Sequence, residues 1–124
     1  MDTPKAASTP KAASTSEIVV RVNLDDERMP VDLELSGTDF EAPQVVKSML
    51  LSVFDRDRKE TLKIDLWTKD MQVVEMDRFM FQTLRGLADT YRKSTNNAEL
   101  ANAMQQFVRY FGEQTEIIPS ENKK

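Results

Sequence analysis

Between Glu17 and Ser36 apolar and polar residues alternate with a period of two, and this pattern restricts the fold more than any other feature of the chain. Ile18, Val20, Val22 and Leu24 fall on one side of an extended segment, with Glu17, Arg21, Asn23 and Asp25 on the other. Val19 breaks the alternation and makes the start of the strand apolar on both faces. Asp26-Glu27-Arg28-Met29-Pro30 is turn-prone, and Val31, Leu33 and Leu35 then alternate with Asp32, Glu34 and Ser36. The two segments predict a β-hairpin with one apolar face.

Further along, the period changes. Pro43 suits the first turn of a helix, and Val45, Val46, Met49, Leu50, Val53 and Phe54 recur at helical spacing up to the charged run Asp55-Arg56-Asp57-Arg58-Lys59. Glu60 to Thr68 alternates again and predicts a third strand, with Leu62, Ile64 and Leu66 opposite Lys63, Asp65 and Trp67. A second helix is expected from about Val74 to Lys93, on the stripe Met76, Phe79, Met80, Thr83, Leu84, Leu87 and Tyr91. Gly86 within it points to a close approach of the following helix. Asn96 followed by Glu99 resembles a helix cap, and Leu100, Met104, Phe107, Val108 and Phe111 build a third helix that Gly112 would end.

The reading is therefore an α+β fold in the order strand, strand, helix, strand, helix, helix. A right-handed crossover gives a three-stranded antiparallel sheet of order 2-1-3, its first strand central. Three helices cover the face bearing Ile18, Val22, Leu33, Ile64 and Leu66. One domain is expected over residues 17–118. Residues 1–16 hold a twice-repeated Thr-Pro-Lys-Ala-Ala-Ser unit with no large apolar side chain between Met1 and Ile18, so this tail is expected to be disordered. Residues 119–124 are polar and expected to fray.

Composition removes most chemistry. The 124 residues include no cysteine and no histidine, which excludes thiolate nucleophiles, disulfides, imidazole bases and the usual transition-metal ligand sets. The three glycines lie far apart, so no Gly-rich loop can cradle a phosphate. A formal net charge of −4, from 17 basic and 21 acidic residues, disfavours nucleic acid as a partner. No secretory signal and no apolar run long enough to span a bilayer is present, so a cytoplasmic protein without direct membrane insertion is expected.

Ser48-Met49-Leu50-Leu51-Ser52 and the octet Ile64-Asp65-Leu66-Trp67-Thr68-Lys69-Asp70-Met71, continued by Met76, Phe79, Gln82-Thr83-Leu84 and Ala88-Asp89-Thr90, resemble the gliding-motility GldC family of the Bacteroidota lineage. The resemblance runs from about residue 17 to 112. It departs at Gln72, where the family has proline, and in the repeat tail. It implies a cytoplasmic accessory protein of the gliding and associated secretion machinery, and it supplies no catalytic residues.

Two surfaces stand out as candidate sites. Trp67, with Asp65 and Lys63 on its strand and Val19 and Arg21 on the first strand beside it, makes an aromatic-basic patch of the kind that anchors protein interfaces. A core tryptophan covered by a helix or by Ile117-Ile118 is the competing reading. Asp25, Asp26, Glu27, Asp32 and Glu34 make an acidic hairpin able to steer a basic partner, although a solvated edge strand is the favoured explanation of them. No loop has the ligand spacing of an EF-hand, so no metal or cofactor is expected. The sequence thus points to a non-catalytic adaptor that binds another protein of a motility or secretion apparatus. The alternative is a module that forms homodimers through the exposed edge of the second strand. A small enzyme using only carboxylates and lysine ranks last.

Overall fold

A computed structural model of the protein describes residues 10–120. The chain divides into two compact units, one ending at Asp70 and one beginning at Met71. The expected tail lies partly outside the described residues, and its described part, residues 10–16, is exposed. Of the expected frayed end, residues 121–124 also lie outside them.

The first unit holds β1 (Ile18–Leu24), β2 (Pro30–Gly37), β3 (Gln44–Val46), β4 (Ser48–Phe54) and β5 (Thr61–Trp67). Strands β1, β2 and β3 form one antiparallel sheet in that order, and β4 and β5 form a separate two-stranded one. The expected β1–β2 hairpin is present, with Val22 opposite Leu33 and Val20 opposite Leu35. Leu33 is fully buried. Gly37 closes β2 at φ 152°, and an added Cβ would run into the backbone carbonyl of Glu17.

Residues 43–54 correct the sequence reading. They form β3 and β4 and no helix. The apolar set fits both periods, because Met49, Leu51 and Val53 alternate as well as Val46, Met49 and Val53 recur. Pairing decides the matter: Met49, Leu51 and Val53 lie directly opposite Leu66, Ile64 and Leu62, three apolar cross-strand pairs on one face. The β-branched valines at 45, 46 and 53 favour the same outcome. The run Asp55–Lys59, read as a helix end, is the hairpin turn. Asp55 Oδ2 accepts the N–H groups of Asp57 and Arg58 at 3.1 and 2.6 Å, and Lys59 takes the left-handed conformation at φ 59°.

The sheet order is corrected with it. Strand β5 pairs with β4 instead of β1, so no 2-1-3 sheet forms; β1 is an edge strand and β2 the inner one. Ile18 and Ile64, expected beneath helices, are 73% and 52% exposed. Thr68 N–H on the Lys47 carbonyl (2.9 Å) extends the β4–β5 ladder past Ser48 and Trp67, and Lys69 N–H on the Pro30 carbonyl (3.1 Å) ties that hairpin to β2.

The second unit is a pair of helices, α1 (Val73–Thr95) and α2 (Ala98–Gln114), so the described residues hold two helices where three were expected. Gln72 stands at the N-cap of α1 and its N–H bonds to the Glu75 carboxylate at 2.9 Å, the reciprocal half of a capping box. Asn96 closes α1 in the left-handed conformation, its N–H on the Arg92 carbonyl. The cap of α2 is Asn97 and not Asn96: its Oδ1 accepts the N–H of Leu100 at 3.1 Å. Phe81, Ala88, Ala101 and Val108 are buried.

The glycines exchange roles relative to the sequence reading. A Cβ on Gly86 would meet nothing within 4 Å, so no close approach explains it. Gly112, expected as a terminator, sits inside α2, and a Cβ there would lie 2.6 Å from Phe81 Cε1 and 2.9 Å from Ile118 Cγ1. Its missing side chain admits the Phe81 ring and the returning Ile118. The turn that brings Ile118 back is fixed by the N–H groups of Ile117 and Ile118, both on the Gly112 carbonyl.

Candidate functional site

The β4–β5 hairpin presents two different faces. One carries Met49, Leu51, Val53, Leu62, Ile64 and Leu66, of which Leu51, Val53, Leu62 and Ile64 are 40–55% exposed. The other carries Ser48 opposite Trp67, Leu50 opposite Asp65, Ser52 opposite Lys63 and Phe54 opposite Thr61. Trp67 is 53% exposed and Phe54 66%. Lys63 Nζ reaches both carboxylate oxygens of Asp65, at 2.7 and 2.8 Å. This exposed pair orders the polar part of the face and contributes little stability. Beside Trp67 a shallow cavity of about 200 Å³ is lined by Met29, Pro30, Asp65 and Leu66.

Trp67, Asp65 and Lys63 therefore share a face as the period-two reading of β5 requires. Val19 and Arg21 do not join them, because β1 belongs to the other sheet. Arg21 instead pairs with Glu34 across the β1–β2 ladder at 3.2 Å. What the sequence reading missed at this site is the division of β4 into two faces: a helical assignment set Met49, Leu50, Val53 and Phe54 on one stripe and left out Leu51, whereas the strand puts Met49, Leu51 and Val53 on one face and Leu50 and Phe54 on the other. The available signal was Asp55, an aspartate that, like Asp25, leads a turn-prone polar run and accepts the N–H groups of residues that follow it.

The acidic candidates are dispersed by their own hydrogen bonds. Asp25 Oδ1 accepts from the N–H groups of Glu27 (2.9 Å) and Met29 (3.0 Å), while Oδ2 meets Lys69 Nζ at 2.8 Å. Lys69, with the Met29 and Glu27 amides, holds the Asp25 carboxyl below the ordinary carboxylate range. Asp32 accepts from the Asn23 amide at 3.3 Å, and Glu34 is taken by Arg21. Of these five acidic residues Asp26 and Glu27 are the exposed ones, beside Asp25 and Lys69 around an open hollow.

The end of the octet is structural. Thr68 is buried, and its hydroxyl donates to Asp70 Oδ1 at 2.6 Å. That hydrogen bond, with Lys47 nearby, lowers the Asp70 pKa. Among the described residues no cluster of three or more carboxylates is placed to hold a metal ion, and no helix is long and apolar enough to cross a membrane.

Neither a curated protein nor a solved structure matches the chain. A family profile does, over residues 29–117, which takes in every strand after β1 and both helices. The family is described as gliding motility-associated protein GldC-like. The octet Ile64–Met71 and the helix residues that carry the resemblance lie inside the matched segment, and the chain is a member of the GldC-like, gliding motility-associated family.

Proposed function

We propose that this protein is a non-catalytic, cytoplasmic accessory component of the gliding-motility and associated secretion machinery, and that it works by binding another protein through the β4–β5 hairpin around Trp67. The observation that carries this reading is the set of large apolar side chains left exposed on both faces of a two-stranded arm. Isolated hairpins are marginal in water, and contiguous exposed apolar surface on a soluble chain marks an interaction site. Tryptophan is the side chain most enriched among residues that dominate interface energetics. The absence of histidine and cysteine from the sequence leaves the chain few means of catalysis.

The test is a photo-crosslinking amino acid placed at position 67, and separately at position 11, in the native host. A discrete adduct from position 67 with none from position 11 is expected. Adducts of equal yield from both positions, or none from either, would refute the reading. Trp67→Ala should weaken partner capture by about 2 kcal/mol or more while leaving folding nearly intact.

Self-association is the second reading. The edge of β2 offers less than the sequence suggested, since β1 pairs along one side of it and β3 occupies Leu33–Leu35 on the other. The apolar row Met49, Leu51, Val53 can still meet its copy face to face about a two-fold axis. A homodimer in light scattering that Leu51→Lys and Ile64→Lys dissolve would favour that reading over the adaptor.

A further inference from the structure

The two helices leave one side of their pair apolar and open. Phe81 and Ala88 on α1, and Ala101 and Val108 on α2, are buried at seven-residue spacing and mark the seam along which the helices meet. Phe81 lies against Gly112, so the first half of α1 meets the end of α2 and the pair is antiparallel. From that seam Leu84, Leu87 and Tyr91 sit about 60–120° around α1, and Leu100, Met104 and Phe107 the same range of angles, in the same sense, around α2. In antiparallel helices equal rotations lead to the same side, so the two rows share one face. Their members match in sequence distance from the turn: Tyr91 with Leu100, Leu87 with Met104, Leu84 with Phe107. Leu87, Leu100 and Phe107 are 49–53% exposed. Phe107 carries the patch on along α2, with the rings of Tyr110 and Phe111 each 6.2 Å from its own.

A pair of helices buries only the stripe at its seam, and an apolar arc this far round from the seam needs a further layer. No Asp, Glu, Lys or Arg of either helix falls in the arc, in a chain of which 31% is charged. That composition selects the layer. A two-fold axis sets residues near their own copies, so a charge on the face would meet a like charge, whereas a charge-free apolar face is complementary to itself. Its size fits the same occupant. Over the 17 residues of α2 the helices run side by side for about 25 Å and are about 20 Å across, a face of about 500 Å² in flat projection. Side-chain relief raises that area toward the about 800 Å² per partner of a standard interface. We infer that this face packs against the same face of a second copy, and that the two helix pairs make a four-helix bundle about a two-fold axis. The bundle goes beyond the reading of the Trp67 surface: it gives each particle two β4–β5 arms, and so two points of attachment where one chain has one.

The test is the mass of the full chain by multi-angle light scattering over a concentration series of about 1–100 μM, which reads a Kd in the micromolar range. The mass of a dimer is expected at the upper end. The double variant Leu87→Lys, Leu100→Lys should keep the mass of one chain throughout, a weakening of about tenfold or more. Its helical circular dichroism should not change, since both side chains are about half exposed in a single copy. Should that variant unfold, Leu87→Ala with Phe107→Ala takes its place and should raise the dissociation constant about tenfold or more. Leu51→Lys with Ile64→Lys, on the β4–β5 face, should leave the dimer as it is. A single-chain mass at every concentration, a dimer indifferent to the helix substitutions, or one that the β4–β5 substitutions dissolve would overturn the inference. The position-67 crosslink is independent of the bundle: its survival in a chain that stays monomeric refutes the bundle alone, and its loss beside a dimer sensitive to the helix substitutions refutes the Trp67 contact alone.

Discussion

The two helical glycines make a pair in which one substitution should act with opposite signs. Gly86 lies mid-way along α1 with no atom within 4 Å of where a Cβ would stand. Gly86→Ala therefore gains helix propensity without a steric term, about 0.8–1 kcal/mol. For a chain of this length that raises Tm by about 3–5 °C if unfolding is two-state. Gly112→Ala gains at most the same propensity, but its Cβ falls 2.6 Å from Phe81 Cε1 and 2.9 Å from Ile118 Cγ1, against ordinary carbon contacts of about 3.5–4 Å. The ring is only 6% exposed, so it has little room to swing aside. Overpacking of this kind costs about 1–3 kcal/mol. Because both variants share the propensity gain, the difference between their stabilities reads the steric term directly. Urea denaturation followed by far-UV circular dichroism gives both values on one scale. Gly112→Ala should come out less stable than Gly86→Ala by about 1–3 kcal/mol, and adding Ile118→Val should recover part of the loss. Equal stabilisation by the two substitutions would show that Phe81 and Ile118 do not close over Gly112.

Gly37→Ala should destabilise the first unit by about 1–3 kcal/mol, since it adds a Cβ at φ 152° against the Glu17 carbonyl; an unchanged urea midpoint would contradict that backbone geometry. Asn97→Ala should cost about 1 kcal/mol by removing the α2 cap, with Asn97→Asp retaining it. Asp25 and Asp70 both have folded pKa values below their unfolded ones. Their contributions are thus fully present above the unfolded value of about 3.9 and are lost as pH falls through the folded values. Stability measured from neutral pH downward should decline over that range, and the decline should be shallower in Asp25→Asn and Asp70→Asn. Acid limbs that superimpose on the parent's would dismiss both hydrogen-bonded carboxylates as contributors.

How far the sequence could be read was set by whether a segment's apolar residues fit one period or two. The β1–β2 hairpin was legible because Ile18, Val20, Val22 and Leu24 match no helical stripe. Helix α1 was legible because a 23-residue amphipathic run is too long for a strand. Residues 44–54 satisfied both periods, and the decision rested on partners distant in sequence: Met49 opposite Leu66, Leu51 opposite Ile64, Val53 opposite Leu62. Local propensity does not contain those pairings. One local clue did exist. Asp25-Asp26-Glu27-Arg28-Met29 and Asp55-Arg56-Asp57-Arg58-Lys59 are both turns led by an aspartate whose carboxylate accepts following N–H groups, the first closed by Asp25 N–H on the Met29 carbonyl with Arg28 at positive φ, the second, longer by one residue, by Asp55 N–H on the Glu60 carbonyl with Lys59 at positive φ. Treating the second run as a turn would have placed a strand on either side of it. The same error separated Trp67 from Phe54 and joined it to Val19 and Arg21.

The anchoring of the β4–β5 arm bears on why its exposed residues are what they are. Its base is tied down by buried Thr68, whose N–H bonds to the Lys47 carbonyl and whose hydroxyl bonds to Asp70, and by Lys69 on the Pro30 carbonyl. Its tip is closed by Asp55, whose N–H bonds to the Glu60 carbonyl and whose own carbonyl accepts from Lys59. Between these ends the ladder could be maintained by any β-formers with a polar face, as Ser52 opposite Lys63 shows on one side. Leucine, isoleucine and valine at 51, 53, 62 and 64 gain little from each other beyond the cross-strand term, about 0.2–1 kcal/mol per pair. They also expose a flat apolar surface that favours aggregation unless something covers it. Thr, Lys and Glu on that face would keep the hairpin and remove the hazard. A face that holds apolar side chains against that hazard, on an arm already fixed at both ends, is the ground on which we propose this face as a binding surface.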